Sequence, residues 1–432
     1  MTPRMKATLL FALVAVLFLI DGVTVSWNSA LSIMNMALIS AIMALGVNMQ
    51  WGYAGLFNVG IVGFVALGGL APVLIATPPV LEAWSAGGWR IPLALIVGAL
   101  SIAAAVWANG RTTGRTRIAA IIGILVAGFF AYRAIFDPAV TAVEAFDPAT
   151  HGNVGGLGLP VLLSWPVGGL MAAGAAWLIG KTALGLRSDY LAIATLGIGE
   201  IIVAVMKNED WLARGVKMIN DIPRPVPYEV DLQQSAAFLE RAATFGTDPV
   251  TASTVVVKLL WSLLFLIVLM VLLWLSQKAL NSPWGRMMRA IRDNEVAAEA
   301  MGKDVTGRHL QIFILGSAVC GLAGAMMVTL DGLLNPGTYS PLRYTFLIWL
   351  MVIVGGSGSN WGAVLGGFLI WYLWGKVEVW GVWMMAQVTA DMAAGPLKSH
   401  LTDMGSHMRL LVMGVLLLVV LRFSPRGLLP ER

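Results

Sequence analysis

A succession of apolar runs limits the folds that this chain can adopt, and the loops between these runs carry most of the charged residues. A helix needs about 20 apolar residues to cross a bilayer, so these runs predict transmembrane helices, the shorter ones extended, tilted or broken. The twelve runs are Ala7–Ile20, Ala30–Met49, Leu56–Ile75, Ile91–Ala108, Ile118–Phe136, Leu162–Ile179, Leu191–Met206, Val255–Leu275, Leu310–Leu330, Phe346–Gly355, Ala363–Trp380 and Leu410–Leu421. We therefore predict an all-α fold, a polytopic transmembrane helical bundle of roughly 10–12 spans with broken helices, in one domain over residues 1–432.

Composition supports a membrane protein and argues against a soluble one. Charged residues make up 12% of the chain, whereas about a quarter of a soluble domain is charged. The first apolar run follows Arg4 and Lys6, but Asp21 interrupts it and no small-residue cleavage site follows. We therefore expect an uncleaved first span rather than a signal peptide. The net charge of +5 lies in short loops, so it predicts no nucleic acid partner.

The distribution of positive charge predicts the orientation. Of the 28 Lys and Arg residues, 16 fall in short loops that would share a side with the N-terminus. The opposite loops, such as Asp137–Pro160 and Lys207–Thr254, are longer and acidic or mixed in charge. By the positive-inside rule, both termini and the loop 278–308 are expected to face the cytoplasm. The loop 207–254 is then the largest loop on the outer, periplasmic side.

Two outer segments are long enough to have structure of their own. The loop 207–254 contains the stiff proline-rich run Ile222–Pro227, and a short helix is predicted within Leu232–Phe245. The loop could dock an extracytoplasmic partner or act as a lid without one. A second, smaller outer cap is predicted over Gly381–Met408.

One charged segment, Ser282–Gly302, stands between two strongly apolar runs and must therefore lie outside the lipid. Ser282 followed by Pro283 is a helix start signal, and Gly302 is a typical stop. Apolar residues recur at helical spacing along one side of the segment, and charged residues lie on the other side. Arg289 and Asp293 are four residues apart, which permits a surface ion pair. These features predict a single short amphipathic helix that docks a soluble partner and transmits its movement to the membrane.

The residues of this segment also carry a family resemblance. GRMMRAIRDNEVAAEAMGKDV, residues 285–305, resembles the cytoplasmic loop of branched-chain amino-acid ABC transporter permeases of the LivM type. Further stretches resemble that family in the same order: Trp51–Phe64, Leu186–Ile202, Gly355–Gly367 and Arg422–Pro430. The resemblance is weak or absent over Thr77–Leu159 and over the later part of Lys207–Thr254. At Asn58 and Gly60 the chain departs from the family's usual residues, so the selectivity of that region is expected to differ.

The resemblance implies the permease subunit of an ABC importer in a bacterial inner (plasma) membrane. Its expected partners are a second related permease chain, two cytoplasmic ATPase subunits and a periplasmic substrate-binding protein. It would move branched-chain, hydrophobic amino acids from periplasm to cytoplasm. The chain itself would bind no cofactor, since ATP is used by the ATPase subunits. The residues expected to couple ATP hydrolysis to transport are Arg289, Arg292, Glu295, Glu299, Ala300 and Gly302; the alternative is that they form a solvated helix face.

Two polar, glycine-rich stretches interrupt apolar sequence, at Gln50–Gly55 and Gly355–Asn360. Irregular backbone at membrane depth is tolerated where protein or water satisfies it, and broken helices of this kind often mark a substrate path. Ordinary loops between spans are the alternative. Glu200 lies 11 residues beyond Asp189 within a span, where it could bind a substrate ammonium or brace a helix. The candidate path residues are Asn48, Gly52, Tyr53, Asn58, Thr195, Glu200, Gly356 and Ser357.

The sequence contains no recognisable catalytic or metal-binding constellation. Its single cysteine, Cys320, excludes an intrachain disulfide, and its four histidines form no ligand cluster. An intramembrane enzyme is therefore disfavoured. Two transport alternatives stay open: a permease for urea, short-chain amides or simple sugars, and an ion-coupled secondary transporter that uses Glu200. Small residues at Gly316, Cys320 and Gly324, and at Gly362 and Gly366, predict close helix packing.

Overall fold

The computed structural model describes residues 3–146, 153–392 and 395–431, and over these ranges the chain is helical and without strands. The α-helices are α1 Pro3–Thr24, α2 Trp27–Asn48, α3 Ile61–Ala76, α4 Leu81–Ala83, α5 Arg90–Arg111, α6 Gly114–Ala145, α7 Ser164–Ala183, α8 Ser188–Asn208, α9 Asp210–Ala213, α10 Glu229–Gln234, α11 Ala236–Thr244, α12 Pro249–Asn281, α13 Pro283–Asp293, α14 Glu295–Ala300, α15 Val305–Asp331, α16 Leu347–Gly355, α17 Asn360–Val388 and α18 Pro396–Phe423. Turns of π-helix occupy Met49–Tyr53, Trp84–Gly88 and Leu342–Phe346, and short 3₁₀ turns occupy Val161–Leu163, Gly215–Lys217 and Pro336–Thr338.

The predicted all-α membrane bundle is confirmed. Within the described ranges, nine helices are long and apolar enough to cross a membrane, and two shorter apolar helices are Ile61–Ala76 and Leu342–Gly355. Each of the twelve predicted apolar runs has its own helix in the described ranges, the twelfth being the 29-residue α17, although the run Leu56–Ile75 begins five residues before α3. The turns at Met49–Tyr53 and Leu342–Phe346 distort two of these helices, as expected for spans that are not regular throughout.

The centre of the bundle is formed by α2 and α15, whose most apolar stretches are 78% and 72% buried within the chain. The two helices approach closely because they meet at glycine. A Cβ added to Gly316 would lie 2.6 Å from the carbonyl oxygen of Gly46, and one added to Gly324 would lie 2.1 Å from that of Val65 on α3. The close packing predicted from the small residues is therefore confirmed.

The helices α5 and α6 lie at the edge of the bundle and pack mainly on each other. Their most apolar stretches are only 22% and 6% buried within the chain. Their exposed side chains are large and apolar, for example Leu100, Val106 and Phe130. This surface suits contact with lipid, because a bilayer is a solvent for apolar side chains.

Several polar segments come together at one end of the bundle: residues 49–60, the turn 356–359, the helices α13 and α14, and the C-terminal residues 424–431. The N-terminal part of α1 lies near the same end, since the rings of Phe11 and Trp361 are 5.8 Å apart. The N-terminus, the charged segment and the C-terminus thus share one side, which agrees with the relative placement predicted from charge.

The opposite end of the bundle holds the loop 209–248, the end of α17 and the start of α18. The short helix predicted within Leu232–Phe245 is confirmed as α11, Ala236–Thr244, and α10 ends just before it at Ser235, whose backbone is extended (φ −80°, ψ 117°). The cap over Gly381–Met408 stays a prediction; in this range α17 continues to Val388 and α18 begins at Pro396. Paired backbone hydrogen bonds of 2.9 and 2.8 Å between Ile219 and Leu334 tie the loop 209–248 to the turn after α15.

Candidate functional site

The charged segment is built from two short helices rather than the single helix predicted for it. Ser282 caps α13 and Pro283 occupies its first turn, as predicted. At Asn294 the backbone becomes extended (φ −157°, ψ 95°), and its side-chain oxygen accepts a hydrogen bond of 3.0 Å from the backbone N–H of Ala297. The asparagine side chain thus takes a backbone donor and starts α14, which interrupts the first helix. Gly302, with φ of +75°, ends the segment.

The helix α13 turns its apolar face to the membrane bundle. Met288 and Ile291 are 0% and 1% exposed. They seat the helix against α12 and the π-helical turn Met49–Tyr53. The helix α13 therefore lies directly against the end of α12 and the turn that follows α2.

The opposite side of the segment is open and partly apolar. Val296 and Met301 are 76% and 79% exposed, which is unusual for large apolar side chains outside a membrane. A cleft of about 700 Å³ runs along the segment beside them. Its lining is Pro283, Trp284, Met287, Ala290, Asp293, Asn294, Ala297, Ala298, Met301, Lys303 and Arg308.

Arg292 joins the charged segment to two other parts of the chain. Its guanidinium donates hydrogen bonds to the carbonyl oxygen of Gly52 and to Oε2 of Glu431, the latter at 2.7 Å. It also pairs with Asp293 at 3.1 Å. Partial burial lowers the pKa of Arg292, but the hydrogen bonds and charges of Glu431 and Asp293 together outweigh burial and raise that pKa above its ordinary value.

The predicted surface pair between Arg289 and Asp293 is wrong. Arg289 instead lies 3.5 Å from Oε1 of Glu431. Asp293 pairs with its neighbour Arg292 because the guanidinium of Arg292 is already held over the bundle. The remaining coupling candidates Glu295, Glu299 and Ala300 are exposed on α14, away from this ionic cluster.

Glu431 was missed by the sequence analysis. It is an isolated acid at the end of the chain, and no helical spacing connects it to the arginines of α13. The only signal that could have drawn attention to it is its position directly after Arg422–Pro430, one of the stretches that carry the family resemblance. The ion pair joins residues 139 positions apart.

Three of the polar side chains predicted for the substrate path, Asn48, Tyr53 and Asn58, lie in a buried network. Asn48 accepts a hydrogen bond of 2.8 Å from the backbone N–H of Gly358 and donates one of 3.2 Å to Oδ1 of Asn360. The Tyr53 hydroxyl donates to the same oxygen of Asn360. The Asn360 amide in turn donates to Gln277 of α12 at 3.2 Å. These bonds hold the end of α2 against the turn that precedes α17.

A second part of the network braces residues 54–60. The Asn58 amide donates to Oε1 of Gln50 at 2.9 Å, and the Gln50 amide donates to Ser317 of α15 at 3.0 Å. The Asn58 carbonyl accepts from the indole of Trp349 at 2.9 Å. All three polar residues of this chain of bonds are buried. The side-chain oxygen of Asn58 also accepts a hydrogen bond of 2.9 Å from the backbone N–H of Gly60, and so satisfies part of the irregular backbone that the sequence pattern predicted.

Thr195 and Glu200 stand on opposite faces of α8. Thr195 is buried, and its hydroxyl accepts a hydrogen bond of 3.1 Å from the backbone N–H of Val59. A Cβ on Gly60 would lie 2.2 Å from the carbonyl oxygen of Thr195, so α8 touches the broken segment directly. Glu200 is exposed and does not join the network.

The other two path candidates belong to the turn before α17. Gly356 has φ of +122° and packs against the carbonyl oxygen of Leu429, and Ser357 is half-buried. Both polar stretches thus connect successive helices, and both have buried backbone. In the described part of the chain, no three His, Cys, Asp or Glu side chains are grouped as a metal site requires.

Comparison with known proteins indicates the family of this chain. A family model described as branched-chain amino acid transport system / permease component matches residues 138–421. The high-affinity branched-chain amino acid transport system permease protein LivM of Escherichia coli K12 is 30% identical over 259 residues, which are 60% of this chain and 58% of that relative. The probable branched-chain amino acid transport permease protein LivM of Methanocaldococcus jannaschii is 25% identical over 401 residues, 90% of each chain.

A more distant relative is the fructose import permease protein FrcC of Rhizobium meliloti, 27% identical over 114 residues, which are 26% of this chain and 31% of that protein. No solved structure matches this chain. The family model covers more than half of the chain, including α7, α8, the charged segment and the turn before α17. The chain therefore belongs to the family of permease components of branched-chain amino acid transport systems.

Proposed function

We propose that this chain is the membrane-spanning permease subunit of an ABC importer in a bacterial inner membrane, with both termini in the cytoplasm. It carries branched-chain amino acids from periplasm to cytoplasm, driven by ATP hydrolysis in separate ATPase subunits. The observation that carries the proposal is the contact of Arg292. That side chain links the exposed charged segment to both polar stretches of the bundle, at Gly52 and, through Glu431, at Gly358.

The open side of the charged segment suits an ATPase partner. Its cleft, which Met301 lines, and the exposed Val296 outside the cleft offer apolar area to bury, and the lining of the cleft also includes Lys303 and Arg308. Glu295 and Glu299 on α14 lie exposed beside it and would pair with basic groups of the partner. Closure of two ATPases would then push α13 against α12 and the end of α2.

The path for the amino acid would open between the two polar stretches. In the described conformation, the side chains of Asn48, Tyr53 and Asn58 use their hydrogen bonds on one another and on nearby backbone. When the stretches separate, those donors and acceptors become free for the carboxylate and ammonium of the substrate, together with the backbone at Gly356 and Ser357. Apolar residues around them would accept a branched side chain.

One face of α8 points away from the bundle and suits contact with a second permease chain. Glu200 lies midway along a 21-residue helix of membrane length and points away from this chain's own core. A carboxylate facing hydrocarbon is costly, so a polar group of a neighbouring subunit is expected opposite it. Neighbouring Ile193 and Ile201, 69% and 61% exposed, would add apolar contact area.

The test is uptake by the transporter isolated from its own membrane, with all co-purifying subunits, in liposomes supplied with leucine, binding protein and internal ATP. We expect uptake only with hydrolysable ATP. The substitution Glu299→Lys should leave membrane insertion intact but remove both the ATPase subunits and the uptake. Glu240→Lys, a matched charge reversal on exposed α11, should change neither. Full uptake by Glu299→Lys would refute the coupling role.

A second candidate is import of a simple sugar, favoured by the match to the fructose import permease. The same liposomes distinguish the two, since unlabelled leucine or fructose would compete for uptake only if it is a substrate; urea and short-chain amides are tested likewise. Uptake without ATPase subunits, driven by an ion gradient, would instead support a secondary transporter based on Glu200.

A further inference from the structure

The C-terminal tail, residues 424–431, folds back onto the bundle after α18. Its backbone N–H groups at Leu428 and Leu429 donate hydrogen bonds of 2.8 Å each to the carbonyl oxygens of Val354 and Gly355 at the end of α16. Leu429 is 8% exposed, and Gly356 packs against its carbonyl oxygen. The tail is therefore fixed to the turn 356–359 by backbone bonds and by packing.

The last described residue of this tail reaches the charged segment. The Glu431 carboxylate lies 2.7 Å from Arg292 and 3.5 Å from Arg289, both on α13. It also lies directly against the turn, because a Cβ on Gly358 would be 2.5 Å from Oε2 of Glu431. The side chains of Arg292 and Glu431 are 25% and 22% exposed, so the pair is partly shielded from solvent. One carboxylate thus joins α13 to the turn 356–359.

We propose that the C-terminal tail is a tether that makes the turn 356–359 follow α13, with Glu431 as the positioning residue that closes it. This inference rests on the proposed importer function and adds a mechanical element to it. Residues 424–431 lie beyond the range matched by the family model, which ends at residue 421.

The contact of Arg292 with Glu431 and its contact with Gly52 act on two different elements. Through Gly52, Arg292 moves the end of α2; through Glu431, the same side chain moves the turn before α17. These two elements are bonded to each other by Asn48 and Gly358. The same guanidinium nitrogen of Arg292 serves both acceptors, so a movement of α13 reaches the end of α2 and the turn 356–359 at once.

Loss of the Glu431 charge should uncouple the turn without unfolding the chain. Arg292 would keep Asp293 and the Gly52 carbonyl as partners, and the tail would keep its two backbone bonds to α16. The test is Glu431→Gln in the complete transporter, in liposomes, with ATP hydrolysis and amino acid uptake measured together. Arg426→Gln, an exposed residue of the same tail, is the matched control.

We expect Glu431→Gln to assemble and hydrolyse ATP close to the wild-type rate, while amino acid imported per ATP falls about fivefold or more. Arg426→Gln should keep the wild-type ratio. An unchanged ratio in Glu431→Gln would overturn the tether. If the wild-type complex itself shows no ATP-dependent uptake, the importer function fails instead, so the two failures are distinguishable.

Hydrogen exchange tests the same inference if Glu431→Gln assembles poorly. In the wild-type complex, addition of a non-hydrolysable ATP analogue should change exchange in α13 and at residues 356–359 together. In Glu431→Asp, whose side chain is one methylene shorter, the change in exchange at α13 should persist and the change in exchange at residues 356–359 should be smaller. An equal change at both places in the variant would contradict the tether.

Discussion

The contact between the two polar stretches can be tested by adding one methyl group at Gly52. A Cβ there would lie 2.4 Å from Oδ1 of Asn48, 2.5 Å from the backbone nitrogen of Gly358 and 2.8 Å from the Cα of Gly358. Two of these atoms belong to backbone, so the methyl group cannot be accommodated by rotation of a side chain. In Gly52→Ala the turn 356–359 must move away from α2.

The cost follows from what that movement breaks. Overpacking a well-packed site costs about 1–3 kcal/mol. Separation also breaks the 2.8 Å hydrogen bond from Gly358 to Asn48, whose net worth is about 0.5–1.5 kcal/mol. We therefore expect Gly52→Ala to lower the free energy of unfolding by about 2–4 kcal/mol.

The assay uses the chain's single thiol. Cys320 is 0% exposed at the centre of α15, so a thiol-reactive fluorophore labels it only when the bundle opens. On heating the detergent-solubilised protein, the labelling midpoint of Gly52→Ala should fall by roughly 3–8 °C. Gly414→Ala is the matched control, because no atom lies within 4 Å of its added Cβ. There, alanine in place of glycine within a helix should be neutral or slightly stabilising.

If Gly52→Ala melts at the same temperature as wild type or Gly414→Ala, the two polar stretches do not pack as described. The hydrogen bond between them would then not hold the bundle closed at this end. A loss of stability with full uptake would separate packing from transport and remove Gly52 from the path.

Three further predictions concern charged groups. Glu200→Gln should insert normally but co-purify with less of the second permease chain, and undiminished recovery of that chain would argue against the α8 interface. Burial raises the pKa of Glu229, but the hydrogen bond from Arg224 lowers it below its ordinary value. This ion pair therefore stabilises the loop 209–248 at pH values above the ordinary carboxyl pKa, and the stabilisation is lost as pH falls through the lowered pKa. We expect faster cleavage of the loop by an acid-stable protease at that low pH. Lys376 and Asp21 form an ion pair with side chains only 8% and 3% exposed. Lys376→Met leaves Asp21 buried without its partner and should lower the free energy of unfolding by about 3–5 kcal/mol. The double variant Lys376→Met with Asp21→Leu should return the midpoint temperature of Cys320 labelling most of the way to the wild-type value.

The helical architecture could be predicted from the amino-acid sequence. Apolar run length sets whether a helix can cross a bilayer, so the twelve runs located the twelve long or apolar helices. The start of α13 at Ser282 and Pro283 and the stop at Gly302 were equally predictable, because caps depend on neighbouring residues along the chain. The small residues of α15 predicted close packing for the same reason, since their spacing of four is a property of one helix.

The contacts between charged and polar groups, in contrast, depend on how distant segments pack. Arg292 finds Gly52 and Glu431 at separations of 240 and 139 residues, distances over which no periodicity carries information. The helix break at Asn294 depended on a competition between its side chain and the continuing helix, and the seating of α13 on the bundle decided where its arginines point. Glu200 faces outward because α8 buries Thr195 against the broken segment. Local sequence sets which helices form, whereas packing between distant segments sets which side chains work together.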